Sequence, residues 1–400
     1  MKGTENIFQQ ESTILVTCPK RIGKYLAEEI IAAGYPIESE MQTGISTRGT
    51  LIDCIRLNLV LRTAHKVLFH LKTFRCTHPD QLYSSTKDFA WEKYFSTESY
   101  FTIVANVENE TITDSRFGSY KVKDAIADRF TSLFKKRPDS GPEKNKIVIY
   151  LHWKNDEASL YIDTSGETIA KHGYRKKPFK APVQESLASA LIYASRWDRK
   201  STFINPMCGS GTLAIQACLT ALNRYPGLFR SNYCFMHLNA FEMSYYDKAK
   251  EEIKSAVLRK MPARVIATDL DPLAIEAAQN NAATAGVDHL IEFRVCDFRE
   301  TEVPEDAGVI MINPEYGERL GVDKDLEEIY TAIGDFFKKK CTGYLGYVFT
   351  GNLELAKRIG LKTKRRIEFY NGTIDARLLE YELYSGSKKI NPQQSDAPTS

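Results

Sequence analysis

The chain has 400 residues, 43% of them hydrophobic and 26% charged, with a formal net charge of +3. That balance suits an ordinary soluble protein of two or three domains with a large core, and places any nucleic-acid surface in local clusters rather than in overall charge. Residues 1–10 are polar and lack the apolar core of a signal peptide, and no apolar run reaches membrane-spanning length. The eight cysteines are scattered without a Cys-x-x-Cys pair, which argues against a zinc site or a disulfide framework. A cytoplasmic protein with reduced thiols, no membrane partner and no metal is expected.

Thr13 to Thr17 reads as a strand, and Ile22 to Ala33 carries apolar residues at helical spacing before Gly34. Leu51 to Val60 and Ala64 to Leu71 are further amphipathic segments. Tyr100 to Val107 is rich in β-formers; a basic helix follows near 120–136, then strands over Lys146 to Trp153 and Ala158 to Asp163. Mixed elements over residues 1–165 fit one or two small α+β units.

Composition then shifts. Between 171 and 180, Lys171, Arg175, Lys176, Lys177 and Lys180 stand with Tyr174 and Phe179 and no acid, within a basic linker over 166–182. From 183 to 386, helices alternate with short apolar strands at Thr202–Asn205, Arg264–Thr268, Ile291–Arg294, Val309–Ile312 and Tyr344–Thr350. That alternation predicts an α/β domain with a mostly parallel sheet flanked by helices. Residues 387–400 are polar and Pro/Gln/Ser-rich, the composition of a disordered tail.

Four strand ends carry chemistry. The first runs through Pro206, Met207, Cys208, Gly209, Ser210 and Gly211 into a helix opening at Thr212. Glycines at 209 and 211 let backbone approach a ligand closely, and the helix start offers N–H groups to a carboxylate or phosphate. By itself this turn is weak evidence, since an ordinary strand-to-helix turn looks the same; the absence of Gly-x-x-x-x-Gly-Lys-Ser/Thr excludes a P-loop. After the second strand, Asp269 suits the two hydroxyls of a ribose, whereas Asp271 before Pro272 suits a helix cap. After the third, Asp297 and Phe298 fit either an adenine edge and face or a solvated turn. After the fourth stand Asn313, Pro314, Glu315 and Tyr316: an amide oxygen, a carbonyl and a ring around one space, suited to a planar exocyclic amine. In an open α/β sheet, ligands bind at this edge. A nucleoside-like cofactor with a carboxylate end beside an amine pocket points to S-adenosyl-L-methionine and N-methylation.

On these motifs the chain resembles a known family. Residues 171–385 are similar to the Rossmann-like class I methyltransferase domain of RNA guanine-N2 methyltransferases, through Asn205 to Thr212, Asp269-Leu270-Asp271-Pro272 and Asn313 to Gly321. Residues 1–165 resemble the ferredoxin-like plus THUMP RNA-binding module of the same proteins. The likeness is to the bacterial 23S rRNA (guanine-N2)-methyltransferase type, and the resemblance implies a form without a second methyltransferase domain. The resemblance implies catalytic roles for Asn313, Pro314 and Tyr316. It implies cofactor contacts from Pro206, Cys208, Gly209, Ser210, Gly211, Thr212, Asp269, Asp297 and Phe298. Lys171, Tyr174, Arg175, Lys176 and Lys177 suit an RNA phosphate track with stacking, which the basic runs at 135–137 and 364–366 could extend. One departure stands out: family members carry a second proline where this chain has Glu315, either a proton acceptor or a solvent-facing side chain. A tRNA substrate, N5-methylation of a protein glutamine, or an RNA-binding assembly factor with an inactive catalytic domain remain open alternatives.

Overall fold

The computed structural model describes residues 6–109, 114–177, 179–180, 182–316 and 324–384. The N-terminal unit runs β1 (Ser12–Thr17), α1 (Gly23–Ala32), β2 (Ser39–Met41), β3 (Gly44–Gly49), α2 (Leu51–Val60), β4 (Lys66–Arg75), α3 (Pro79–Lys87), β5 (Tyr100–Glu108), α4 (Ser115–Phe134), β6 (Asp139–Ser140), β7 (Ile147–Lys154) and β8 (Glu157–Asp163). Its eight strands form one sheet in the order β2-β3-β1-β4-β8-β7-β5-β6. The segment 64–71, merely amphipathic in sequence, lies mostly in strand β4, which pairs with β1 through Lys66–Phe69 and with β8 through Leu68–Arg75. Its apolar residues at 64, 67, 68 and 71 also match a helical spacing; pairing on both edges decides for the strand, with Val67, Leu68 and Phe69 all buried. Two small α+β units therefore share a single sheet.

The second unit runs α5 (Glu185–Ala194), β9 (Thr202–Pro206), α6 (Thr212–Ala221), α7 (Met243–Ser255), β10 (Val265–Asp269), α8 (Pro272–Ala285), β11 (Ile291–Val295), β12 (Gly308–Ile312), α9 (Lys324–Lys340), β13 (Leu345–Thr350), α10 (Leu353–Lys357), β14 (Arg365–Asn371) and β15 (Ile374–Glu382). The strand order is β11-β10-β9-β12-β13-β15-β14; β11 through β13 are parallel, and β15 and β14 add antiparallel. The β14–β15 hairpin was not read from the sequence, although Asn371-Gly372 at its turn is a hairpin signal and Gly372 takes φ +61°.

The two units are packed together. Residues of α1, α2, α5, α6 and α7 share one apolar core, and α7 lies on α2. Every residue of α6 is buried, so this helix is covered on all sides, with Thr212, Gln216 and Thr220 as the polar residues among its apolar ones. The basic segment before α5 is not a free linker. His172 and Tyr174 are 2% and 1% exposed and meet Gln216 of α6, whose Nε2 lies 2.7 Å from His172 Nδ1 and donates to the Tyr174 hydroxyl at 2.9 Å. Burial pushes the His172 imidazole down to about 3, keeping it neutral.

Candidate active site

The glycine loop sits where β9, paired to β10 on one side and β12 on the other, reaches its C-terminal end. Met207, Gly209 and Gly211 all adopt left-handed backbone, at φ +54°, +54° and +78°. The two glycines serve different ends. A Cβ on Gly209 would meet nothing within 4 Å, leaving that backbone open to a ligand, whereas a Cβ on Gly211 would lie 2.8 Å from Ala278 Cβ, so Gly211 lets α6 approach α8. Asp269 holds the loop: its Oδ2 accepts from the Gly209 amide at 2.9 Å and its Oδ1 from the Asp271 amide at 3.0 Å. A carboxylate with two backbone donors keeps lone pairs for further hydroxyls. Asp271 caps α8, accepting from the Leu273 amide at 2.9 Å, and Gly286 ends that helix at φ +66°.

A cavity of about 700 Å³ opens on this edge, within the usual range for a small-molecule site. Its lining includes Asn205, Cys208, Gly209, Ser210, Thr212, Asp269, Asn313, Pro314 and Tyr316. Three buried polar atoms in that lining have no partner among the described residues: Asn205 Oδ1, Ser210 Oγ and Asn313 Oδ1. Leaving such groups unpaired costs about 1–3 kcal/mol each, so the site calls for a ligand bearing donors and acceptors. Asn205 is held by its amide, which donates to the Met311 carbonyl at 2.9 Å and so ties β9 to β12. Burial holds the Cys208 thiol far above its ordinary range, which suits a packing residue rather than a nucleophile.

Tyr316 lies half-buried, its phenol accepting from Asn371 Nδ2 of the hairpin at 2.6 Å and its carbonyl from Asn352 Nδ2 at 3.5 Å. Asn371 and Ile374 complete the cavity on that side. Neither was anticipated from the sequence, because the hairpin that carries them was not. Glu315 is exposed, the solvent-facing alternative. Residues 317–321 of the same motif lie outside the described residues.

The structure places several of the expected site residues elsewhere than their sequence pattern suggests. Pro206 is buried within β9, and it and Gly211 shape the loop without lining the cavity. Asp297 caps the short turn Phe298–Glu300 and is occupied by Arg299, with Nε and Nη2 at 2.8 and 2.6 Å, an ion pair that holds its carboxyl below the usual range. Phe298 is buried edge-on against Phe336 at 5.9 Å. Neither residue lines the cavity. In the basic segment, Tyr174 is buried and cannot stack on RNA. Arg175 points inward, donating to the Val183 carbonyl at 2.5 Å and to Thr212 Oγ1 at 2.9 Å. Lys177 pairs with Glu276 at 2.9 Å on the surface; Lys171 and Lys176 remain exposed. Of the two extending runs, Lys136 pairs with Glu98 at 2.6 Å and Arg365 is drawn to buried Glu380.

A second cavity, about 250 Å³, lies between α1 and α2 on one side and α6 and α7 on the other; no strand end opens on it. Among the described residues, no cluster of three or more His, Cys, Asp or Glu side chains could hold a metal, and no helix is long and apolar enough to cross a membrane.

Comparison with known proteins follows the same division. Residues 13–68 match the RlmL ferredoxin-like domain, 76–163 the THUMP domain and 172–380 the RMKL-like methyltransferase domain. The chain is 35% identical over 378 residues to the ribosomal RNA large subunit methyltransferase K/L of Syntrophotalea carbinolica, covering 92% of this chain but 53% of that protein. It thus spans about half the length of such relatives. A Synechocystis protein named as an RNA methyltransferase is 32% identical, with 90% of this chain and 93% of that one covered. A crystal structure described as that of a possible methylase from Clostridium difficile 630 superposes with a TM-score of 0.86 at 27% identity, covering 95% of this chain and all of that one. The match over 172–380 takes in the glycine loop, Asp269 and Asn313 to Tyr316 together, and the chain is a member of the RMKL-like methyltransferase family.

Proposed function

We propose that this protein transfers a methyl group from S-adenosyl-L-methionine to the exocyclic N2 amine of a guanine in RNA, with 23S rRNA as the substrate. The single observation that carries the reading is Asn313 Oδ1, a buried acceptor without a partner in the same cavity as the open Gly209 backbone and the Asp269 carboxylate. The donor set fits the cofactor: Ser210 Oγ and the start of α6 suit its carboxylate, Asn205 Oδ1 its ammonium, and Asp269 its ribose hydroxyls. When bound, the cofactor supplies an electrophilic methyl on a sulfonium.

This chain's residues would then do the rest. The guanine amine is a weak nucleophile because its lone pair is shared with the ring. Asn313 Oδ1 and the Pro314 carbonyl would accept hydrogen bonds from its two N–H groups and turn that lone pair out of the ring plane; the new N–C bond forms as the sulfonium C–S bond breaks, and the surplus amine proton leaves to solvent. Tyr316 stacks on the extruded base, a contact worth about 1–3 kcal/mol. Catalysis is mainly positioning, with reacting atoms held about 3–3.5 Å apart. The THUMP and ferredoxin-like units, with exposed Lys171 and Lys176, bring the RNA. RNA as the substrate is supported by the THUMP match and by the names of the relatives.

The test is tritiated methyl transfer to total RNA from cells lacking the protein, followed by size fractionation and nucleoside analysis. N2-methylguanosine in large-subunit rRNA is the expected product. The same nucleoside in tRNA would move the substrate, a different methylated base would move the chemistry, and label in protein alone would reject the reading.

A further inference from the structure

Arg21 belongs to the N-terminal unit, just before α1, yet its side chain is gripped by the β14–β15 hairpin of the other unit. Its guanidinium donates to the Phe369 carbonyl at 3.5 Å and to the Asp375 carboxylate, lies 3.3 Å from Glu368, and sits over the Tyr370 ring at 4.3 Å from the centroid. Arg377 closes the cluster, reaching Asp375 at 2.5 Å and Glu368 at 3.4 Å. Beside it, Tyr25 of α1 stacks on Phe369 at 5.8 Å and 17°. Arg21 takes φ +69°, a left-handed conformation unfavourable for a residue with a Cβ, so the surroundings hold it in this pose. The two arginines also hold the Asp375 carboxyl at about 2, keeping it charged.

The same hairpin reaches the base pocket. Asn371, at its turn, donates to the Tyr316 phenol at 2.6 Å. Ile374 lines the cavity, and a Cβ on Gly351 would meet both Ile374 Cγ2 at 2.6 Å and Tyr316 Cε2 at 3.1 Å. Tyr316, the hairpin tip and the end of β13 are thus packed on one another without room for a side chain at 351. A fork donor such as arginine fixes both the distance and the orientation of the strand it grips.

We propose that Arg21 is a positioning residue for methyl transfer, through which the N-terminal RNA-binding unit holds the β14–β15 hairpin so that Asn371 fixes Tyr316 for the incoming base. The inference rests on the proposed role of Tyr316. It means that the N-terminal unit does more than capture RNA: it completes the base pocket from outside.

The test is a double-mutant cycle on the full chain, read by single-turnover methyl transfer to RNA and by S-adenosylhomocysteine affinity. Arg21→Ala and Asn371→Ala should each slow the single-turnover rate about tenfold while leaving cofactor affinity within about twofold, since misplacing a contact group affects chemistry more than remote binding. The double variant should be no slower than Asn371→Ala alone, because both act through one contact. Arg21→Lys, which keeps the charge and loses the fork, should recover only part of the rate. If Arg21→Ala does not fold, Asp375→Asn weakens the same grip from the hairpin side and should give the same rate loss. A full-rate Arg21→Ala, or a double variant slowed by the product of the single effects, would overturn the inference. Wild-type protein that labels no RNA would instead remove the proposed function, and this inference with it.

Discussion

The ends of β9 and β12 differ from the end of β11 on the same edge of the same sheet. At the first two, Asn205 Oδ1, Ser210 Oγ and Asn313 Oδ1 are buried and unpartnered around one cavity. At the third, Asp297 spends its carboxylate on Arg299 and its own turn, and Phe298 is buried in the core. Being polar and at a strand end is therefore not enough to make a ligand-binding group. The groups that remain unsatisfied without a ligand are the functional candidates, and saturated ones should matter for stability alone.

The sharpest way to break that contrast is Asn313→Ala. Losing a donor or acceptor aimed at the reacting group typically costs about 10²–10³-fold in turnover, and cofactor affinity by titration should stay unchanged. A drop in cofactor affinity with intact turnover would reverse the assignment. Next in size is Asp269→Ala, expected to weaken cofactor binding by about 1.5–3 kcal/mol, roughly 10- to 150-fold, through loss of a charged acceptor and of the Gly209 anchor. Calorimetric titration with S-adenosylhomocysteine reads it directly.

Saturated groups should behave otherwise. His172 is neutral in the fold, with its acidity shifted from 6.5 to about 3 by burial. The unfolded chain takes up a proton below about pH 6.5 while the folded one does not, so stability present above that pH is lost progressively as pH falls toward 3. Melting temperature should fall over that window in wild type, and His172→Gln should flatten the slope while sparing methyl transfer at neutral pH. The smallest effect is expected at Asp297→Ala. Its partner Arg299 is 62% exposed, so solvent screens the pair and it adds little to stability, and cofactor affinity should change less than about threefold. A tenfold loss there would show that Asp297 leaves Arg299 to meet the ligand.

Much of this architecture could be read from local pattern. The strands at 202, 265, 291, 308 and 345 fall within a residue of their predicted starts, because a buried parallel strand is a short apolar run bounded by turn residues. The cap at Asp271 followed by Pro272 was equally visible, since capping depends only on neighbours in sequence. Strand β4 was less so, because its spacing also fits a helix and only its partners on both edges choose between them. The hairpin carrying Asn371 has its Asn-Gly turn as a local signal, but its strands mix exposed and buried residues without a clean alternation.

What no local pattern could settle was the direction in which a side chain faces. Tyr174 and Arg175 looked like an RNA track beside Lys176 and Lys177, yet the first two face α6 and the start of α5, while the lysines face outward. The two glycines of one loop looked alike, yet Gly209 faces open space and Gly211 faces Ala278. Residue type, order and spacing determined the sheet, the loop and the set of chemistries available at its edge, because these follow from backbone preferences over a few neighbours. Which polar atoms stay unpaired in the cavity, and that Arg21 grips a hairpin more than three hundred residues away, depended on packing between segments distant in the chain. A side chain's free valence is the remainder after its tertiary partners are counted, and those partners exist only once the chain is folded.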